Sequence, residues 1–190
     1  MAYYEDDEVH PVTRILAGAV GDSGQRVFVL QAHFGGQVVS WVIQKDQALG
    51  LSRTIPRLLA EVHAEFPELG EPLVAARPNA DLNEPLQPRF RVGSIGLGYD
   101  RIHDLVVLIL VDADTEQMQE VDLLAAEAEE PPELYLYTTR GQALLLGQQA
   151  ETIVVAGRPC CPNCGEPMDD FGHFCLSAQA RGKRGGSYLQ

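Results

Sequence analysis

The chain has 190 residues, of which 45% are hydrophobic, and it carries a formal net charge of -13. A chain of this size forms one large domain, or one domain and a small module, and can bury a core without disulfides. The negative charge argues against non-specific DNA binding, because phosphate contacts need a dense positive surface. The acidic N-terminus has no signal-peptide h-region, and no apolar run approaches the ~18 residues of a membrane span, so we expect a cytoplasmic protein without such a span.

The beginning of the chain predicts three consecutive strands. They are expected over Arg14–Val20, Arg26–His33 and Gln37–Ile43. The Gly35-Gly36 pair between the second and third runs is typical of a tight hairpin turn. Because these two runs are nearly all apolar, we expect their strands to be covered on both faces and the single tryptophan, Trp41, to lie in the core.

A helix is predicted next. Apolar residues from Ala48 to Phe66 repeat at intervals of three and four, which places them on one face of a helix. Pro56 lacks an N–H donor and should kink this helix or split it near Thr54. Prolines at positions 67, 72, 78, 85 and 88 then predict an ordered loop or extended connector instead of another helix.

The second half of the chain repeats this order of elements. Strands are predicted over Phe90–Leu97, Leu105–Val111 and Leu134–Tyr137, followed by a helix over Thr139–Gln149 that Thr139 caps. Both halves also place Gln-Ala-Leu just after the end of a strand. The predicted fold class is therefore α+β, with two βββα-like units, and a diverged duplication is one explanation of the repeat.

The strongest chemical signal lies near the C-terminus, where all four cysteines fall between positions 160 and 175. Cysteines clustered beside a histidine favour a metal site over a secreted disulfide scaffold. Cys161 and Cys164 form a Cys-x2-Cys knuckle, while His173 and Cys175 are two positions apart, so that on a strand both point to the same face. Three thiolates and one imidazole make up the closed tetrahedral shell of a structural Zn2+ site.

Other roles for these cysteines stay open. A thioredoxin-type redox pair needs its Cys-x-x-Cys at a helix start within a βαβ unit, and it gives no role to His173 or Cys175. Cys160 could replace Cys161 with a longer spacing, but the two-residue spacing fits a knuckle better, so Cys160 is predicted to be a bystander. The predicted organisation is an α+β core domain over residues 1–156, a zinc-binding module over 157–178 and a flexible, basic, glycine-rich tail over 179–190.

Four segments spread over almost the whole chain carry a likeness to a known family: RVFVLQA, the Gln-Ala helix entry with LLAEV, FRVGSIGLGYD and VVAGRPCCPNCGEPMDDFGHFC. In these segments the chain resembles an uncharacterised bacterial family catalogued as domain of unknown function 3090. The resemblance implies that the four Cys/His positions of the family pattern are Cys161, Cys164, His173 and Cys175, and that a proline is usual where this chain has Cys160. It implies no activity. Family members tend to be encoded beside a histidine-phosphatase-like protein and a phosphatidylinositol-kinase-like protein, which implies a shared pathway and names no reaction.

Weaker signals have simpler structural interpretations. The run Val92–Gly98 matches neither the dinucleotide fingerprint nor the P-loop, so we expect its glycines to ease a twisted or bulged strand into a hairpin. Four charged residues near that hairpin could line an anion pocket, but solvated hairpin residues are the simpler interpretation. These residues are Arg91, Asp100, Arg101 and His103. His33 and His63 lie in apolar patterns and are expected to be ordinary half-buried histidines.

Three functional hypotheses follow. The leading one is a non-enzymatic, zinc-stabilised binding or adaptor protein with protein partners, because the chain has a closed metal shell and no catalytic motif. The second is an enzyme, or a domain that binds a small molecule such as a phosphate ester, with its pocket between the two units near Arg91 and Gly93–Gly98. The third is a nucleic-acid-associated factor that uses the zinc tail and the basic run from Arg181 to Arg184, which the charge of -13 opposes.

Overall fold

The computed structural model describes residues 11–22, 25–74, 81–114 and 133–156, together with Cys161, Asn163, Cys164 and Cys175. Within these ranges the chain runs βββα twice, which confirms the predicted α+β class and element order. The strands are β1 (Arg14–Val20), β2 (Val27–Phe34), β3 (Gln37–Ile43), β4 (Pro88–Asp100), β5 (Leu105–Asp112) and β6 (Glu133–Thr139). The helices are α1 (Lys45–Glu65), which a short 3-10 turn (Pro67–Leu69) follows, and α2 (Arg140–Ala156).

The strands form one six-stranded sheet in which their spatial order equals their order along the chain. Neighbouring strands are antiparallel within each half, whereas β3 and β4 run parallel. The connection through α1 supplies the crossover that a parallel pair needs. Just before β1, the N–H of Val12 donates to the carbonyl of Tyr137 in β6 at 2.8 Å. The segment that leads into β1 therefore contacts β6, the strand at the opposite edge of the sheet.

The two helices pack against each other and over one face of the sheet. Leu30, Trp41 and Leu108 contribute to that face and are fully buried, which confirms the core position predicted for the tryptophan. The helices approach closely where Gly147 of α2 faces Ile55 of α1, since a Cβ on the glycine would lie 3.5 Å from the isoleucine Cβ. Neither described helix is long and apolar enough to cross a membrane.

The first helix is continuous through Pro56, so the predicted split near Thr54 is wrong. Pro56 lies on the exposed side of α1, while its neighbour Ile55 is fully buried. Because the proline faces solvent, water can satisfy the carbonyl that the missing N–H leaves without its helical partner. The second helix is longer than predicted and runs to Ala156, because the buried side chain of Val154 extends its apolar face.

The start of α1 is held by Gln47. Its side-chain oxygen accepts a hydrogen bond from the N–H of Gln44 at 2.8 Å, which caps the helix. Its side-chain nitrogen donates to the carbonyls of Val92 and Gly93 at 3.1 and 2.8 Å. One glutamine thus ties the helix of the first half to the first strand of the second half.

The start of α2 repeats this arrangement with Gln142. Its oxygen accepts from the N–H of Thr139 at 3.1 Å, and its nitrogen donates to the carbonyls of Val12 and Thr13 at 3.3 and 2.9 Å. Oγ1 of Thr139 accepts from the N–H of Gln142 at 3.2 Å, which confirms the predicted cap. The helix of the second half is thereby tied to the residues that lead into the first strand. The two halves are alike in structure, and a duplication stays a prediction.

Candidate functional site

Three of the four residues predicted to bind metal lie together. The Sγ atoms of Cys161, Cys164 and Cys175 are all within 4.8 Å of one another, and those of Cys161 and Cys175 are 3.7 Å apart. None of the three forms a disulfide. Cys161 is only 5% exposed, and the other two are partly buried. Such a cluster of thiols could hold a metal ion, and its softness favours zinc or iron–sulfur chemistry over the hard cations.

His173 and Cys160 lie outside the described residues. The fourth position of the metal shell therefore stays a prediction, as does the bystander role of Cys160. The described cysteines reach the cluster from two short stretches, the knuckle at Cys161 and Cys164 and the later Cys175. The spacing that the knuckle motif predicts is thus consistent with the positions of its two sulfurs.

The charged residues of the turn between β4 and β5 contact other residues of the chain. Nδ1 of His103 lies 2.7 Å from a carboxylate oxygen of Asp100, and this hydrogen bond lowers the pKa of Asp100. Arg101 pairs with Glu65 at 2.9 Å and lies over the ring of Phe66. These side chains behave as hairpin residues, as expected, and they do not converge on an anion pocket.

The glycine-rich run belongs to β4. From Ser94 onward it pairs residue by residue with β5, and the register shifts between Val92 and Ser94. At this shift the carbonyl of Gly93 accepts the hydrogen bond from Gln47. The predicted bulged strand is confirmed, because the backbone of this run is used for pairing with neighbouring elements and does not form a phosphate loop.

The two histidines singled out in the sequence differ in environment. His33 is partly buried, and its Nε2 atom has no hydrogen-bond partner among the described residues. Burial lowers the pKa of His33, and the charge of Arg14 lowers it further. His63 lies in the last turn of α1 and is exposed, so the half-buried prediction is wrong for this residue.

A polar cluster around Arg140 was not predicted. This side chain is only 9% exposed, and its Nε and Nη2 atoms lie 2.8 and 3.2 Å from the two carboxylate oxygens of Asp104. It also donates to the carbonyls of Gly70 and Leu69 at 2.8 and 2.9 Å. The hydroxyl of Tyr99 donates to Asp104 at 2.7 Å, and burial together with this bond raises the pKa of Tyr99 to about 12.

One signal in the sequence could have pointed to this cluster. Arg140 is the first residue of α2, and a cation at a helix N-terminus is opposed by the helix dipole. A buried arginine in that position therefore needs a dedicated anionic partner. Asp104 adopts a positive φ of 55° in the hairpin, a conformation that aspartate tolerates better than most residues.

An open groove of about 660 Å³ lies between β1 and α2. One wall is formed by Ala17–Val20 of β1, and the other by residues of α2 between Leu145 and Ile153. The connector residues Asp81, Leu82 and Glu84 complete the lining. The groove thus lies between a strand of the first half and a helix of the second. Arg91 and Gly93–Gly98 do not line it, so this groove is not at the location that the second hypothesis gave.

The connector is fixed against β1 and β2. The buried side-chain amide of Gln31 exchanges two hydrogen bonds with the backbone of Asn83, at 2.8 and 3.1 Å. The Leu82 side chain fills the space over Gly18, where a Cβ would lie 2.6 Å from the leucine Cγ. The connector wall of the groove is therefore held in place by specific contacts.

The model of one protein family, described as "Protein of unknown function (DUF3090)", matches residues 8–175. The chain belongs to this family. The DUF3090 match begins ahead of β1 and ends at Cys175, so it spans the described sheet, both helices and all four predicted metal ligands. The resemblance seen in the sequence is confirmed, and the family description assigns no activity. No curated protein and no solved structure matches the chain significantly.

Proposed function

We propose that this DUF3090 protein is a non-enzymatic binding or adaptor protein whose C-terminal module folds around one structural Zn2+ ion. The observation that carries the proposal is the convergence of three cysteine Sγ atoms within 4.8 Å of one another. The proposed ligands are Cys161, Cys164, His173 and Cys175. The module extends over residues 157–178, between a core of residues 1–156 and a basic tail of residues 179–190.

The spacing of the sulfur atoms supports a shared tetrahedral ion. With Zn–S bonds of about 2.3 Å, two thiolates at the tetrahedral angle lie about 3.8 Å apart. The separation of 3.7 Å between the sulfurs of Cys161 and Cys175 agrees with that geometry. A disulfide needs about 2.05 Å between its sulfurs, and a redox pair would leave the third cysteine of the cluster without a role.

His173 is the proposed fourth ligand. It precedes Cys175 by two positions, and side chains two positions apart in an extended backbone point to the same side. Three thiolates and an imidazole fill all four positions of a tetrahedral zinc ion. A filled shell leaves no open position for a substrate or for an activated water, which supports a structural role for the metal.

A ligand-binding domain or enzyme is the second candidate, and the groove is the observation that favours it. The charge of the groove, however, disfavours a phosphate ester as its ligand. The charged side chains in the lining, Asp81 and Glu84, are both acidic and would repel a phosphate group. A nucleic-acid role would have to rely on the basic run from Arg181 to Arg184 against a net charge of -13.

Elemental analysis of protein purified without added metal tests the metal assignment, and we expect about one zinc per chain. Cys161→Ser and Cys175→Ser should lose the zinc. Cys160→Ser is the matched control, because it changes a neighbouring thiol outside the proposed shell, and it should retain the zinc. His173→Ala should release zinc to a competing chelator at a lower chelator concentration than the parent protein. Stoichiometric zinc in the Cys161 and Cys175 variants would contradict the ligand set, and a zinc-free parent protein would overturn the zinc site itself.

A further inference from the structure

The outer side of β1 is a sheet edge that opens into the groove. The N–H of Ala17 points away from β2, because it donates to the side-chain oxygen of Gln149 at 3.2 Å. Backbone directions alternate along a strand, so Ala19 also presents its N–H and C=O to the groove. Among the described residues, no side chain and no backbone carbonyl outside the strand pairing accepts a hydrogen bond from the N–H of Ala19. Such an edge is a ready template for pairing with another extended chain.

Gln149 takes the place that an added strand would occupy. Its side-chain amide is chemically equivalent to a peptide group, and its oxygen binds Ala17 as a strand carbonyl would. The separation of 3.2 Å is at the long end of the range of about 2.7–3.2 Å for such bonds. A peptide carbonyl at a normal distance could therefore replace the side chain of Gln149 without leaving the N–H of Ala17 unsatisfied.

The shape of the groove suits an extended chain. Its volume of about 660 Å³ lies within the range of about 300–1,000 Å³ that is usual for binding clefts. The small residues Ala17–Ala19 leave room beside the strand, while Leu82, Leu145 and Ile153 provide apolar walls. Alternate side chains of a bound strand would contact these walls, because successive side chains point to opposite faces.

The acidic charge of the groove favours extended chains with basic side chains over chains with acidic ones. Asp81 and Glu84 are exposed at its rim, and within the described ranges neither carboxylate has an ion-pair partner. The whole chain also carries a net charge of -13. A segment with lysine or arginine side chains would be attracted to this rim, and an acidic segment would be repelled.

We propose that the groove binds an extended, basic segment of a protein partner, which adds to the sheet as a strand beside β1. Its backbone replaces Gln149 on Ala17 and pairs with Ala19, while its basic side chains reach Asp81 and Glu84. The pairing is short, because the part of β1 that lines the groove extends from Ala17 to Val20. This inference rests on the proposed function as a binding or adaptor protein and specifies the chemistry of the partner.

A peptide array tests the proposal on the full-length, metal-loaded protein. Labelled octapeptides, blocked at both ends, alternate valine with lysine, arginine, glutamine or glutamate. Fluorescence polarisation should show binding of the lysine and arginine peptides, weaker binding of the glutamine peptide and none of the glutamate peptide. In 15N NMR spectra, the amide resonances of Ala17 and Ala19 should shift when the lysine peptide is added.

Variants separate strand addition from non-specific attraction. Ala19→Pro removes an N–H that faces away from β2, a position where an edge strand tolerates proline, so the fold should persist while peptide affinity falls at least tenfold. Replacing Asp81 by Asn and Glu84 by Gln together should abolish the preference for lysine over glutamine peptides. Glu151→Gln is the matched control, because it removes an exposed acidic charge of α2 outside the lining and should leave affinity unchanged.

The proposal is overturned if no peptide of the array binds the parent protein, or if Ala19→Pro binds as tightly as the parent. Weaker binding by Gln149→Ala would also overturn it, because Gln149 would then hold the ligand instead of giving way to it. Zinc content is measured separately on the same samples. Zinc-loaded protein that binds no peptide refutes only the groove, and zinc-free protein that binds peptide refutes only the metal site.

Discussion

Arg140 and Asp104 form a two-point ion pair, with distances of 2.8 and 3.2 Å, that joins the start of α2 to the turn between β4 and β5. The same guanidinium donates to the carbonyls of Leu69 and Gly70 in the segment that follows α1. One side chain therefore connects three parts of the fold that are distant in the chain. The planar guanidinium group of arginine can donate all of these hydrogen bonds at once, whereas the ammonium group of lysine cannot make them in the same geometry.

Arg140→Ala should lower the free energy of unfolding by about 2–4 kcal/mol, because it leaves a partly buried carboxylate and two carbonyls without their donor. Arg140→Lys should fall between this variant and the parent. Urea unfolding followed by circular dichroism measures both. Arg101→Ala is the control, since its ion pair with Glu65 is exposed and should contribute only about 0–1 kcal/mol. Equal losses for the two alanine variants would contradict the structural role of Arg140.

The order of strands and helices was predictable because each element, or the turn beside it, has a local sequence pattern of its own. Gly35 and Gly36 both have a positive φ in the turn between β2 and β3, a conformation that their sequence favours. The repeated Gln-Ala-Leu also has a local explanation, since Gln47 and Gln142 each cap the helix in which they lie. The cysteine cluster was predictable for the same reason, because its three cysteines are close together in the chain.

Contacts between distant residues were not predictable in this way. Arg140 and Asp104 are 36 positions apart, and the sequence around neither residue identifies the other as its partner. The groove likewise depends on β1, α2 and the connector around Leu82, which are distant in the chain and adjacent in the fold. Local periodicity predicts which face of each element is apolar, but it does not predict which edge of the sheet remains open.

Gly141→Ala should destabilise the protein, because a Cβ at this position would overlap the carbonyl oxygen of Leu73. The segment after α1 would have to shift, and that segment also supplies the carbonyls bound by Arg140. We expect a loss of about 1–3 kcal/mol, as is usual for overpacking. The segment can give way in part, since the Leu73 side chain is 92% exposed.

Gly147→Ala is the matched control in the same helix. Its Cβ would lie 3.5 Å from the Cβ of Ile55, which is an ordinary contact, and alanine is favoured over glycine in a helix by about 1 kcal/mol. Thermal unfolding should therefore show a lower melting temperature for Gly141→Ala and an equal or higher one for Gly147→Ala. A similar gain in both variants would mean that the segment near Leu73 does not restrict α2.

Stability should fall as the solution becomes acidic because of His33. Burial lowers its pKa in the folded protein, and Arg14 lowers it further, so the folded state binds the proton less tightly than the unfolded state. The contribution of the neutral imidazole is fully present above the unfolded pKa of about 6.5 and is lost as the pH falls through that value towards the lower folded pKa. NMR titration should place the midpoint of His33 below about 6.5, and His33→Gln should flatten the pH dependence of urea unfolding. A midpoint at or above the unfolded value would refute this account.

Removal of the metal should unfold the C-terminal module and leave the core intact. The described core cluster consists of residues from Val12 to Val154 and includes none of the cysteines. Its apolar surface comes from the sheet and both helices, so the core does not depend on a metal ion for its burial. A chelator should therefore release zinc with only a small loss of far-UV circular dichroism. The fluorescence of Trp41 should stay the same, because this side chain is fully buried in the core.

Cys161→Ser should resemble the chelated parent, and Cys160→Ser should respond to the chelator as the parent does. Cys161 is only 5% exposed, and packing of the core against this residue would produce the opposite result. Loss of most of the helical signal on chelation would show that this packing stabilises the core, and the proposed boundary at residue 156 would then be wrong.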